Sequence, residues 1–216
     1  MSATSPDANS VYYAATRVEM CDFLPTTYSR VLEVGCGRGG FRSNLNDAAE
    51  VWGVEPFGKA AECAKARMDH VLVGKFEDVR DHLPNAAFDL VICNDVIEHM
   101  EDDIAFLKSV RQKMQTGGYI MGSVPNMRYL PVLKALVFNK EWEYQDEGVL
   151  DRTHLRFYTV KSFPPLLARA GFEIVRFAGI NKQFYRANWL MSQVLKTPWM
   201  DDVLWLQFAF LARIPP

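Results

Sequence analysis

Two clusters of residues in this chain have the types and spacing to do chemistry. Asn94, Asp95, Val96, Glu98 and His99 follow directly on the apolar run Phe88–Cys93, which crowds amide, carboxylate and imidazole groups onto the end of one element. Upstream, Glu33 stands two residues before Gly35-Cys36-Gly37-Arg38-Gly39-Gly40, and Glu55-Pro56 closes the next apolar run, with Glu55 20 residues after Gly35. Glycines at such a turn let the backbone take a positive φ or approach a ligand more closely than any Cβ would allow, and a helix after the turn aims its free N–H groups at the same spot. The turn therefore reads as a cofactor cradle, and the spacing satisfies G-x-G-x-x-G literally, with Glu55 where a carboxylate takes ribose hydroxyls. Glu33 argues against a dinucleotide, because an acid beneath the anion site repels a pyrophosphate and welcomes an ammonium or a sulfonium.

A hydroxyl acceptor must lose a proton as a new bond forms, and a neutral histidine accepts one near neutral pH. Of the four histidines, His70 and His82 read as surface residues, whereas His99 and His154 are the candidate bases. His154 lies in Asp151-Arg152-Thr153-His154-Leu155-Arg156, a segment that either touches the acceptor or pins itself down through ion pairs. His99 either serves the acceptor, caps a helix or stacks beneath the cofactor. Arg152 and Arg156 could grip an oxyanion through paired N–H groups or pair internally. Asn126 and Tyr129 are expected on the acceptor side, and no metal is expected.

These residues need a scaffold, and the hydropathy pattern supplies a parallel α/β one. Val31–Val34, Glu50–Val54, His70–Val73, Phe88–Cys93 and Tyr119–Val124 read as strands, with helices over Lys59–Met68 and Asp102–Met114. The alternation breaks across residues 127–160, a lid or substrate insertion after the fifth strand. It resumes with a helix over Lys161–Ala170 and strands over Phe172–Ala178 and Leu204–Arg213. A helix over Tyr12–Leu24 precedes the first strand, in a single domain of 1–216.

Val31–Gly40, Glu55-Pro56, Phe88–His99 and Gly117–Asn126 resemble the successive motifs of class I S-adenosylmethionine-dependent methyltransferases. The resemblance implies a Rossmann-like, doubly wound seven-stranded sheet with an antiparallel strand at its end, the last strand slotted between the fifth and sixth. It assigns the amino-acid part of S-adenosylmethionine to Glu33, Gly35, Cys36 and Gly37, the ribose to Glu55, and Asp95 to the cofactor's methionine portion or the methyl-transfer centre, with Pro56, Asn94 and Val96 also lining the cofactor. It further implies that the leading segment, residues 1–28, folds over the cofactor, with Tyr13 and Arg17 closing the pocket or Tyr13 packing the helix on the domain. Relatives commonly carry Gly-Asp after the third strand to receive adenine. This chain reads Gly74-Lys75-Phe76-Glu77-Asp78, and lysine has no acceptor, so either the contact passes to the Phe76 backbone or to Glu77, or adenine is held mainly by packing. The segment Gly148–Thr159 is similar to a bacterial subgroup associated with polysaccharide modification and other small-molecule methylation.

The implied activity is methyl transfer to a small-molecule or sugar acceptor, most simply at oxygen. Two other readings stand beside it: a catalytically silent S-adenosylmethionine-binding subunit, and a nicotinamide-dependent oxidoreductase. The 216 residues, 49% hydrophobic and 23% charged, suit one core. A formal charge of −2 disfavours nucleic acid as a main ligand. The four scattered cysteines show neither zinc nor disulfide spacing, and from a polar start without a long apolar run a cytoplasmic location is expected. The apolar stretch Leu130–Phe138 reads as a lid core or a dimer face, or as a patch for a lipid-linked acceptor, and with the aromatic tail Trp199–Phe210 it suits a homodimer.

Overall fold

Seven runs rich in β-branched and aromatic residues become one sheet in the order β3-β2-β1-β4-β5-β7-β6. The strands are β1 Arg30–Val34, β2 Glu50–Glu55, β3 His70–Val73, β4 Phe88–Asn94, β5 Met114–Pro125, β6 Glu173–Lys182 and β7 Trp205–Arg213. The computed structural model describes residues 16–47, 49–183, 197 and 200–215. β1 to β5 pair in parallel, while β7 runs antiparallel to both β5 and β6 and so separates them, as the family resemblance implies.

The central strands are apolar on both faces because both faces are covered. Leu32, Val34, Val91, Cys93 and Ile120 turn to one side. There they meet Phe106, Leu107 and Val110 of α3 (Asp103–Lys113) and Phe163, Leu166 and Leu167 of α5 (Phe163–Arg169). Val31, Val51, Leu90, Ile92 and Met121 turn to the other side, against Ala64 of α1 (Gly58–Ala64), Phe41, Leu45, Met20 and Phe23. Asp102 caps α3 by accepting from the Ala105 N–H at 2.8 Å, a contact worth about 1 kcal/mol.

Three local expectations are corrected. The glycine turn leads into a single 3₁₀ turn, Gly40–Asn44, rather than a helix. The segment is rich in residues whose side chains compete with the backbone ladder, and Ser43 Oγ donates to Gly40 O at 3.0 Å. The leading helix is likewise reduced, within the described residues, to the 3₁₀ turn Val18–Phe23, entered through Arg17 in the left-handed region at φ 49°; Tyr12 and Tyr13 lie outside the described residues. β5 begins at Met114, ahead of the expected Tyr119, and the β4–β5 register shifts between Phe88 and Leu90, with Gly117 at φ 76° taking up the irregularity.

The short helix α2 (Phe76–Val79) follows β3. Between β5 and α5 the chain leaves the sheet. This segment carries α4 (Leu130–Lys134) and a π-helical turn over Ala135–Asn139. It returns to the sheet edge through a bridge between Asn126 and Tyr158, and the Tyr158 hydroxyl donates to Asp103 at 2.8 Å. Its far part exposes Leu136, Val137 and Phe138. Among the described residues no helix is long and apolar enough to cross a membrane.

Candidate active site

Four of the backbone donors in the glycine turn are already used. Gly35 and Cys36 donate to Val54 O at 2.8 and 3.2 Å, Gly39 donates to Cys36 O at 2.8 Å, and Gly37 donates to Glu55 Oε2 at 2.8 Å. The other Glu55 oxygen accepts from the Phe57 N–H at 2.9 Å, so one carboxylate ties the turn to the start of α1. Gly35 sits at φ 71°, where a Cβ would also land 2.8 Å from Val96 Cγ2. Cys36 fills the space beside Gly53, and burial raises its thiol, which keeps it unreactive.

Glu33 projects from β1 beneath this turn, 4% exposed, and its Oε2 has no protein partner. Burial, and after it the charge of Glu55, push its carboxyl up to about 8. Glu55 is also raised by burial, while the two backbone N–H groups hold it back.

At the end of β4, Asp95 takes the left-handed conformation at φ 53°. Its Oδ1 accepts from Ser123 Oγ at 2.8 Å and Gln207 Nε2 at 2.6 Å, and its Oδ2 is ion-paired with Arg17. Arg17 also reaches Ser123 Oγ at 3.0 Å and Glu19 Oε1 at 2.7 Å. Asn94, next to this node, has both amide atoms buried without a protein partner.

A second group forms where the inserted segment crosses the turn after β4. The backbone N–H groups of Leu155 and Arg156 donate to Glu98 O at 2.8 and 2.9 Å, which brings His154 against Glu98 and His99. The two imidazole rings meet edge to face with centroids 4.8 Å apart, and His154 Nε2 lies 4.0 Å from Glu98 Oε1. Burial lowers the His99 pKa, and His154 lowers it further. Burial and then Asp95 hold the Glu98 carboxyl well above its ordinary range.

The sequence-derived residues divide between these places. Glu33, Gly35, Cys36, Gly37, Glu55, Asn94, Asp95 and Val96 gather around the turn and the end of β4. His99 and His154 meet each other. Pro56 and Glu77 are exposed, and the Phe76 ring packs edge to face on Phe106 in the core. Asn126 is corrected from an acceptor-side residue to a structural one. It is fully buried, its amide donates to Asp202 O and Trp205 O at 2.8 and 2.9 Å, and its oxygen accepts from the Arg128 N–H, so no polar atom is left for a ligand. Arg152 pairs with Asp146 at 2.8 Å and Arg156 bonds Glu101 O, which is the internal pairing allowed for above. Tyr129 is partly buried at the entrance to α4. Ser123 and Gln207, which complete the Asp95 node, escaped the sequence reading. Each is a polar residue inside an apolar strand, a signal that could have found them.

The model of the methyltransferase-domain family matches residues 12–176. A mitochondrial ubiquinone biosynthesis O-methyltransferase of Schizosaccharomyces pombe is 31% identical over 99 residues, 43% of this chain and 36% of that protein. A ubiquinone biosynthesis O-methyltransferase of Cereibacter sphaeroides is 27% identical over 179 residues, 78% of this chain and 70% of that one. The chain spans between 36% and 45% of the length of the first curated relatives it matches. A solved SAM-dependent methyltransferase from Archaeoglobus fulgidus, 19% identical, shares the fold with a TM-score of 0.67 over 94% of this chain and 92% of that one. With the family match covering most of its length and the fold shared nearly end to end, the chain belongs to the methyltransferase-domain family and carries the class I S-adenosylmethionine-dependent fold.

Proposed function

We propose that the chain transfers a methyl group from S-adenosylmethionine to a hydroxyl oxygen of a small-molecule acceptor. The carrying observation is the electrostatic character of the glycine turn. The N–H groups of Gly35, Cys36, Gly37 and Gly39 are all given to protein acceptors, and the unpartnered polar atom beneath them, Glu33 Oε2, can only accept while ionised. A diphosphate would meet four spent donors and, beneath them, a carboxyl that repels it once ionised. A ligand bearing an ammonium group meets the acceptor it requires, so the turn fits S-adenosylmethionine and not a nicotinamide dinucleotide, despite the shared glycine spacing.

In this reading Glu33 holds the cofactor's amino group, Glu55 uses its remaining lone pairs for the ribose hydroxyls, and the free amide of Asn94 lines the same wall. Val96 and Gly35 close the floor, Arg17 and Asp95 fix the rim, and the Phe76 backbone or Glu77 meets the adenine. When bound, S-adenosylmethionine supplies an electrophilic methyl on a cationic sulfur. The protein aligns the acceptor oxygen with it and keeps water out, and the acceptor enters from the side of Glu98, His99 and His154. The names of the ubiquinone biosynthesis O-methyltransferases support oxygen as the methylated atom; none of the relatives cited supports the polysaccharide acceptor expected from residues 148–159.

The test has two stages. S-adenosylhomocysteine is expected to raise the thermal midpoint by ligand linkage while NAD leaves it unchanged, and the reverse pattern overturns the reading. Label transfer from methyl-labelled cofactor to a panel of hydroxylated aromatic and aliphatic acceptors then separates an enzyme from a silent binding subunit.

A further inference from the structure

We propose that Glu98, His99 and His154 form a binding site for one divalent transition-metal ion, with open coordination positions that take the hydroxyl oxygen of the acceptor. The placement of the acceptor rests on the methyltransferase reading; the cation site itself does not.

The three side chains each offer one ligand atom, and these atoms all lie within 4.8 Å of one another. They come from two distant stretches of chain, the turn after β4 and the inserted segment. The two backbone bonds onto Glu98 O hold those stretches together without using any side-chain atom. The cluster is thus assembled by the main chain, and no hydrogen bond ties either Glu98 oxygen to the two rings.

The tautomers follow from the neighbours. His99 Nδ1 lies 3.1 Å from Thr153 O, and His154 Nδ1 lies 3.1 Å from Val149 O. A carbonyl only accepts, so each Nδ1 carries the proton and each neutral ring presents its lone pair on Nε2. A backbone carbonyl receiving the second ring N–H is the arrangement that orients a metal-ligating histidine. Glu98 adds a carboxyl with no exposed surface and with neither oxygen partnered within the protein. His154 Nε2 therefore faces the buried Glu98 carboxyl at 4.0 Å, with the His99 ring beside them and neither carboxyl oxygen hydrogen-bonded. A buried acceptor without a donor is costly, and a single proton relieves only one contact of such a set. A dication relieves all of them.

Two imidazoles and one carboxylate suit zinc, or the other first-row ions that accept nitrogen and oxygen together, better than magnesium or calcium, which prefer all-oxygen shells. Ligands about 2.1 Å from zinc stand no more than about 4.2 Å apart, so the set closes slightly on loading. Three protein ligands leave a position for an exogenous oxygen. An acceptor hydroxyl there gives its proton to water more readily. Its oxygen then forms the new bond to carbon as the carbon–sulfur bond breaks, and that electron pair returns to sulfur to leave a neutral thioether.

The chelator-treated full chain is titrated with cobalt(II) and followed by its visible absorption, and with zinc followed by calorimetry. One ion per chain is expected, with affinity falling at least tenfold in both Glu98→Gln and His154→Gln. The two substitutions lie on different segments, so misfolding of one leaves the other as the readout. Absence of saturable one-to-one binding in the wild type, or wild-type affinity in a folded variant, overturns the site. S-adenosylhomocysteine binding is measured on the same samples. Retained cofactor binding without metal binding removes only the cation site, whereas loss of cofactor binding by the wild type removes the methyltransferase reading.

Discussion

Glu33 stands beneath the glycine turn within the electrostatic reach of Glu55 on the neighbouring strand, and the pair cannot both be ionised cheaply: burial first and Glu55 second push the Glu33 carboxyl up to about 8. A carboxyl raised in the folded state stabilises the fold while it keeps its proton. That contribution is complete below its ordinary value of 4.5 and is lost as the pH climbs through about 8, at roughly 1.4 kcal/mol per pH unit within the window. Glu55 and Glu98 are shifted in the same direction. The ligand-free protein is therefore expected to lose thermal stability as the pH rises from mildly acid to mildly alkaline, and Glu33→Gln to flatten that slope. Thermal melts across the range check this, and an unchanged slope in the variant contradicts it.

The same proton reports on the ligand. A bound ammonium favours the ionised carboxylate, so cofactor binding below the raised pKa must expel a proton from Glu33. Calorimetry of S-adenosylhomocysteine in buffers of different ionisation enthalpy is expected to show proton release near neutral pH that fades well above the shifted value. Glu33→Gln should abolish the release and weaken binding together. Tight binding with no proton release in the wild type would separate Glu33 from the ligand's amino group.

Glu55 holds the turn and, in the proposed reading, the ribose. Its two charge-assisted bonds to Gly37 and Phe57 are each worth about 1.5–3 kcal/mol. Glu55→Ala is expected to cost at least about tenfold in S-adenosylhomocysteine affinity, more than the loss of ribose contacts alone, because the turn is released as well. Comparing S-adenosylhomocysteine with its 2′-deoxy analogue on both proteins isolates the ribose share: the analogue's deficit should disappear in the variant.

Arg17 and Asp95 were each read from sequence as ligand contacts, and the structure joins them to each other. Their side chains are 18% and 12% exposed, so breaking the pair leaves a largely desolvated charge. Arg17→Ala and Asp95→Asn are each expected to destabilise the fold by about 2–3 kcal/mol. In a double-mutant cycle the pair should show a coupling of at least about 1 kcal/mol, and additive effects would show that the contact contributes nothing.

The sheet was legible because its central strands are buried on both faces, which leaves continuous apolar runs such as Leu90–Cys93. Glu33 and Glu55 were legible for a related reason: a carboxylate within an apolar run or at its end needs a purpose. The helix expected after the turn was not there, because the glycines that make the cradle also remove helix propensity and Ser43 turns back on Gly40. The convergence of His154 on Glu98 and His99 was only half visible. It depends on two backbone bonds to Glu98 O from residues more than fifty positions away, and no local pattern encodes such a crossing. Asn126 misled because a polar residue at a strand end looks the same whether it faces a ligand or, as here, ties β7 to β5.

Gly35 offers the sharpest separation of two costs at one position. Its φ of 71° penalises any L side chain by about 1–2 kcal/mol, and a Cβ would in addition stand 2.8 Å from Val96 Cγ2, an overpacking worth about 1–3 kcal/mol. Gly35→Ala is therefore expected to destabilise the wild type by about 2–5 kcal/mol. In a Val96→Ala background the clash is gone and the backbone cost alone remains, so the same substitution should cost only about 1–2 kcal/mol there. Denaturant melts of the four proteins measure both values. Equal costs in the two backgrounds would mean that Val96 yields freely and that the conformation of the turn alone demands glycine.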